Sequence, residues 1–141
     1  MTPKEYLKQA YRLDHRINSD IAELGRLREM STSISSPSLG EKVQTNRNTD
    51  APFVKCLERI YSLEEKINEE IDLLVNLKEE IRSVIDMLSN TDERMVLRYR
   101  YIHNYTWEQI GDVLGADSRT VRRWHGQALG HVTLPENLLK I

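Results

Sequence analysis

Residues Tyr11–Glu29, YRLDHRINSDIAELGRLRE, and Tyr61–Glu79, YSLEEKINEEIDLLVNLKE, are versions of one another at an offset of fifty residues with no gap. Tyr, Leu, Ile, Asn, Ile, Leu, Leu and Glu coincide at 11/61, 13/63, 17/67, 18/68, 21/71, 24/74, 27/77 and 29/79. Charge is kept at Asp14/Glu64, Arg16/Lys66, Asp20/Glu70 and Arg28/Lys78. Any two amphipathic helices share apolar positions, so those alone are weak support. The matching Asn, Tyr and charges point to an internal structural duplication.

Both copies step by three and four. In the second, Leu57, Ile60, Glu64, Ile67, Ile71, Leu74, Lys78, Ile81, Ile85 and Leu88 alternate; in the first, Leu7, Ala10, Asp14, Ile17, Ile21, Leu24 and Arg28 do the same. This is coiled-coil spacing. The period predicts helices over residues 4 to about 30 and Pro52 to Leu88. Between them, residues 31 to about 51 are rich in Ser, Thr and Asn, with Pro37 and Gly40, and read as a loop. Two long helices joined this way should fold back as an antiparallel hairpin. The seam charges agree. Laid parallel, Asp14 would meet Glu64; laid antiparallel about Ile21 and Ile71, Asp14 comes near Lys78 and Arg28 near Glu64. Snorkelling of the same side chains to the seam edge is the plainer alternative.

The apolar face is wider than two helices need. Leu13, Leu27, Leu63, Leu77 and Val84 add a third column. Phe53, Leu57 and Ile60 lie beyond the reach of the first helix in that register. Cover by a second chain, giving a homodimer through the hairpins, is the expectation. Ile34, Leu39 and Val43 of the loop, or the C-terminal tail, are the intramolecular alternatives.

The end of the chain has a different grammar. Thr91 is placed to cap a helix over DERMVLRYRYIH, with Val96, Leu97 and Tyr101 inward and a break at Asn104 and Tyr105. Thr106 and Gln109 form a capping box for a second helix, with Trp107, Ile110, Val113 and Leu114 inward. Gly115 suits the left-handed residue that ends it. Asp117 caps a third helix, whose inward residues are Val121, Trp124, Ala128 and Leu129. Ser118, Arg119, Thr120, Arg122 and Arg123 remain on the outer side. This is the pattern of a helix-turn-helix, in which the last helix, about 118–129, enters the major groove of double-stranded DNA. Arg suits that place because its planar fork bonds both guanine acceptors, or a phosphate. A plain solvated face is the alternative for the same arginines.

Charge distribution matters here more than the net value of −2. Residues 52–90 carry five basic and nine acidic side chains, whereas residues 118–129 carry three arginines and no acid. A local basic face is what phosphates respond to.

On these residues the segment Met95–Leu129 resembles region four of bacterial sigma factors. VLRYRYIHNYTWEQIGDVLG and SRTVRRWHGQAL follow that family's LRxRY, T-x-E-I-G-x-x-L-G and R-x-V-R elements, with Val121, Arg122, Ala128 and Leu129 in step. Trp124 and Gly126 depart from it. The resemblance implies that Ser118, Arg119, Arg122 and Arg123 face promoter DNA. The whole chain is similar to small sigma-region-four-like putative transcriptional regulators of phages and prophages of Gram-positive bacteria, which implies a role in transcription of phage or mobile-element genes. With no sigma region two, promoter melting is not expected.

The fold expected is therefore all-α: an antiparallel coiled-coil hairpin over 1–90 and a helix-turn-helix module over 91–141. Double-stranded DNA is the expected partner. Docking on RNA polymerase, through the sigma-like module or the acidic hairpin, is the alternative. No enzyme, cofactor or metal site is expected, because His15, His103, His125 and His131 are scattered without a nucleophile motif, paired carboxylates or a phosphate loop. Cys56 reads as a small buried residue on a helix. No apolar run is long enough to cross a bilayer, no signal peptide is visible, and a cytoplasmic setting is expected. Val132, Leu134, Leu138, Leu139 and Ile141 suggest that the tail docks rather than hangs free.

Overall fold

The computed structural model describes the backbone of residues 1–35 and 46–141 and the side chains of 1–33 and 51–141. Among the described residues the chain is all helical. Helices α1 (Pro3–Ser35) and α2 (Asn46–Asp86) precede α3 (Thr91–Leu97), a π turn (Arg98–Ile102), α4 (Trp107–Leu114) and α5 (Ser118–His131). Two compact units divide the chain: Met1–Asp14 with Leu73–Ile141, and His15–Asp72. The first turns of α1 and the last of α2 cluster with the shorter helices α3 to α5.

α1 starts at a reciprocal cap, for which Thr2-Pro3-Lys4-Glu5 has the full pattern. Thr2 Oγ1 accepts from Glu5 N, and Thr2 N donates to Glu5 Oε2, with Pro3 at the first helical position. The helix continues through Ser31 to Ser35, where a loop was expected. Ser31 and Thr32 hydroxyls donate back to Arg28 O at 2.8 and 3.0 Å, so neither pulls the backbone out of the helix. At the other side, α2 begins at Asn46 and Pro52 lies inside it. A proline's fixed φ is helical, and its cost there is one lost hydrogen bond and local crowding. The rest of the expected loop, residues 36–45, lies outside the described residues, as do Leu39, Val43 and the side chain of Ile34.

In the unit His15–Asp72, Arg16 meets Glu70 at 2.7 Å, Lys66 meets Asp20 at 3.6 Å, and Arg28 meets Glu64 at 2.8 Å. The partner's number falls as the first number rises, so the helices run in opposite directions here. The core is Leu24, Cys56, Ile60, Leu63 and Ile67, with Leu27 against it. Cys56 is buried, and its thiol donates to Leu27 O at 3.2 Å.

One column of the expected heptad holds, with Ala10, Ile17, Leu24, Ile60, Ile67, Ile81 and Leu88 buried, while the other is displaced by one residue over most of its length. Leu63 is buried where Glu64 was expected, and Asp20 and Glu70 are buried while their neighbours Ile21 and Ile71 are 47% and 40% exposed. Leu57 is likewise exposed, whereas Ile60, expected to be out of reach, is buried against the longer α1. The expected third column, led by Leu63, therefore supplies one side of the seam, beside Ile60 and Ile67.

Two carboxylates in a seam need cations. Arg16 and Lys66 supply them from the exposed edges. These four residues are related by the fifty-residue duplication, and they pair crosswise: the base of each copy meets the acid of the other. One oxygen of each acid, Asp20 Oδ2 and Glu70 Oε1, is buried without a hydrogen bond.

The other unit holds a larger core. Tyr6, Leu7 and Ala10 of α1 pack with Leu77, Ile81, Val84, Ile85 and Leu88 of α2, and with Leu97, Tyr101, Ile102 and Ala128. The tail covers this core through Val132, Leu134, Leu138 and Leu139. It is fastened by polar bonds as well. Glu80 Oε2 accepts from Tyr6 Oη at 2.7 Å and Leu139 N at 3.0 Å, while Gln9 donates to Leu139 O and accepts from Ile141 N. Lys78 and Asp14, expected as a pair, are instead engaged by the turn after α3: Lys78 Nζ donates to Ile102 O at 3.2 Å, and Asn104 Nδ2 donates to Asp14 Oδ2 at 3.2 Å.

Burial separates the ion pairs energetically. Arg28→Ala is expected to cost about 0–1 kcal/mol, because both partners are largely solvated. Arg16→Ala should cost about 2–3 kcal/mol, because it strands the buried Glu70 carboxylate. Urea denaturation of the two variants checks the order; equal losses would mean that Glu70 is not desolvated.

Candidate nucleic-acid interface

The segment that carries the arginines is built on three caps. Asn90, not Thr91, caps α3 by accepting from Glu93 N at 3.1 Å. Thr106 and Gln109 form the expected capping box of α4, with bonds of 3.2 and 2.8 Å. Asp117 caps α5, accepting from Thr120 N at 2.7 Å. That bond, first, and then the charges of Arg119 and Arg123, hold the Asp117 carboxyl below its usual range.

Between α4 and α5 the chain turns within three residues. Gly115 takes φ 70°, a left-handed conformation that glycine adopts without penalty. Gly111 matters more. A Cβ there would lie 2.4 Å from Ala116 O, a backbone atom that itself accompanies the Ala116 N to Gly111 O bond. The tight α4–α5 corner thus requires a bare backbone at 111.

Val96, Ile110 and Val121 are fully buried at the centre of these helices, with Trp107, Leu114 and Trp124 half-buried around them. Val113, expected inward, is 51% exposed. Gly111 takes the inward place instead, because the corner closes directly on its backbone. His125 helps cover the core, as its place on the helix leads one to expect, whereas His103 is exposed. His125 is buried, its Nε2 lies 2.6 Å from Tyr101 Oη, and its ring meets Trp107 edge-on at 4.8 Å. Its position four residues after Val121 was the available signal.

The π turn aligns these groups. His103 N bonds Arg98 O, one residue further back than in an α-helix, and Asn104 comes next with φ 58°. Tyr101 and Ile102 are thereby turned into the larger core, while Tyr99 stacks on Tyr105 at 5.2 Å. Partial burial, then Arg98, Lys78 and Arg82, lower the pKa of His103, so that edge is also electropositive.

On α5, Arg119, Arg122 and Arg123 are exposed, and Ser118 and Thr120 are half-exposed. The three arginines share one side at helical spacing. None forms an ion pair among the described residues. Gly126, the next residue on that side, has nothing within 4 Å of a built Cβ. The candidate residues are thus together and open to solvent.

Residues 33–132 match a family described as a protein of unknown function, DUF1492. The chain belongs to the DUF1492 family. The matched region of this DUF1492 protein takes in all of α2 to α5, and so includes the whole arginine face. No match was found among curated proteins or among solved structures. Among the described residues of the DUF1492 chain, no group of three or more His, Cys, Asp or Glu could hold a metal, and no helix is long and apolar enough to cross a membrane.

Two outcomes test this geometry. Gly111→Ala should destabilise the chain by about 1–3 kcal/mol despite alanine's better helix propensity, as measured by thermal melting. Burial, then Arg100, Lys4 and Lys8, push the His125 pKa down to about 4. A histidine with a depressed folded pKa stabilises fully above its unfolded value, near 6.5, and the stability is lost as pH falls towards 4. Unfolding free energy should therefore drop by roughly 2 kcal/mol between pH 6.5 and 4 from this group. His125→Gln should flatten that part of the profile.

Proposed function

We propose that this protein is a sequence-specific DNA-binding transcription regulator of phage or mobile-element genes. Its last two helices act as a helix-turn-helix of the sigma-region-four kind, with α5 in the major groove. The observation that carries the reading is the exposed, acid-free side of α5 bearing Arg119, Arg122 and Arg123, held by a capped helix and a glycine corner. Ser118 and Arg119 at the start of α5 lie nearer the bases, with Thr120 beside them. Arg122 and Arg123 supply the forked donors to guanine or phosphate.

Selection of bound sites from random duplex DNA with the purified full chain tests the reading. An enriched site is expected. On that site Arg122→Ala should cost about 1–3 kcal/mol if the fork reads a guanine, and binding should weaken steeply with added salt. Equal loss on random DNA would make Arg122 a phosphate contact. No enriched site would overturn sequence-specific reading. It would favour a second use, docking on RNA polymerase, which the acidic balance of residues 52–90 suits.

The helical pair acts in this proposal as an antiparallel coiled-coil hairpin and a dimerisation arm. The support is no longer the third apolar column, since Leu63 is buried within the chain. It is the exposed Ile21, Leu57, Tyr61 and Ile71 of His15–Asp72. A homodimer would present two copies of α5 to two half-sites. Light scattering at micromolar concentration should return twice the chain mass of 16.5 kDa; a monomer mass would remove the dimer.

A further inference from the structure

A cavity of about 570 Å³ lies within the unit formed by Met1–Asp14 and Leu73–Ile141. Four cations line it: Lys4 and Lys8, one turn apart on α1, Arg100 of the π turn, and Arg122 of α5. Its remaining lining is aromatic, from Tyr11, Tyr101, Trp107 and His125, and no carboxylate contributes.

The walls are held before any ligand arrives. Arg100 Nη1 donates to Tyr105 O at 3.0 Å, and the guanidinium sits 4.1 Å from the centre of the Trp107 ring. Tyr101 and His125 are buried and joined by their 2.6 Å hydrogen bond, which makes the floor rigid. The field inside is positive: Arg100, Lys4 and Lys8 all disfavour a proton on His125. Four like charges converging without an acid repel one another, and an anion relieves them. Arg forks and Lys ammonium groups are the usual holders of phosphate oxygens. The volume is that of a small-molecule site, and the exposed Tyr11 ring and half-buried Trp107 offer flat apolar surface.

We propose that this cavity binds a phosphorylated small molecule bearing a flat ring, of mononucleotide size, with its phosphate among Lys4, Lys8, Arg100 and Arg122 and its ring against Tyr11 and Trp107. The inference does not need α5 to read DNA. Where that reading also holds, Arg122 serves both sites, and an occupied cavity draws its guanidinium away from the groove. The ligand then lowers affinity for DNA.

The full chain carrying Trp124→Phe leaves Trp107 as the lone tryptophan reporter. Titration with AMP and GMP should change Trp107 fluorescence saturably, and calorimetry should give the same midpoint. Adenosine or pyrophosphate alone should each bind at least about tenfold more weakly than AMP, a difference of about 1.4 kcal/mol. Lys4→Gln with Lys8→Gln, both on exposed positions, should weaken AMP by a further similar factor with an unchanged circular dichroism spectrum. AMP should also raise the His125 pKa in an NMR titration, since it neutralises the cations around the ring. No saturable binding of AMP, GMP or pyrophosphate at millimolar concentration would overturn the proposal. So would AMP binding indifferent to the two lysine changes. A random duplex that displaces AMP and depends on the same lysines would assign the cations to the DNA backbone instead, which also overturns it. Binding that stands while site selection fails would separate this proposal from the DNA reading.

Discussion

A carboxylate cannot sit in an apolar seam without a cation close by, and this constraint sets the phase of the helices in the His15–Asp72 unit. Asp20 and Glu70 are buried, and Lys66 and Arg16 reach them from the edge. Because the fifty-residue duplication relates the four residues, one solution brings a cation to both acids at once. Turning one helix alone to bury Ile21 or Ile71 would carry its own acid out to solvent, but would take Arg16 or Lys66 away from the acid still buried on the other helix. That desolvation penalty exceeds the gain from one more isoleucine, because burying an uncompensated charge costs several kcal/mol while a fully buried isoleucine returns about 1.5–3 kcal/mol. The cores of both units are then built from the columns this phase turns inward, Leu63 in one and Leu77 and Val84 in the other.

The features legible in the sequence were mostly local. Capping needs only one or two side chains at fixed offsets, so Thr106, Gln109 and Asp117 stand where the pattern put them. Gly115 and the docking tail are equally direct. The phase of the heptad was not legible, because Ile21 and Ile71 are better seam residues by hydrophobicity than Asp20 and Glu70. Only the crosswise ion pairs overturn that ranking, and they exist between helices rather than along one. The π turn was invisible for a related reason. RYRYI is an ordinary helical string, and the extra residue per turn is imposed by Lys78, Asp14 and the burial of Tyr101 and Ile102.

For the candidate interface, the arginines of α5 could be named from spacing alone, but their surroundings could not. The cavity beside Arg122 needs Lys4 and Lys8, residues more than a hundred positions away in the chain. The burial of His125 depends on Tyr101 and Trp107 arriving from two other elements. A net charge of −2 conceals these groupings, since the acids are concentrated in the second long helix.

The fate of one duplicated ion pair has a wider meaning. Arg28 and Glu64 bond to each other, while their counterparts Lys78 and Asp14 hold Ile102 O and Asn104 instead. A repeated sequence provides the same acid and base twice, and here one pair closes the seam while the other is open to different partners. A spare donor and acceptor, already spaced to grip a polar backbone, make a ready socket for an added segment. The arginine-bearing helices are thus anchored on the long helices by two residues whose counterparts in the repeat bind each other, with a left-handed asparagine as one of the plugs.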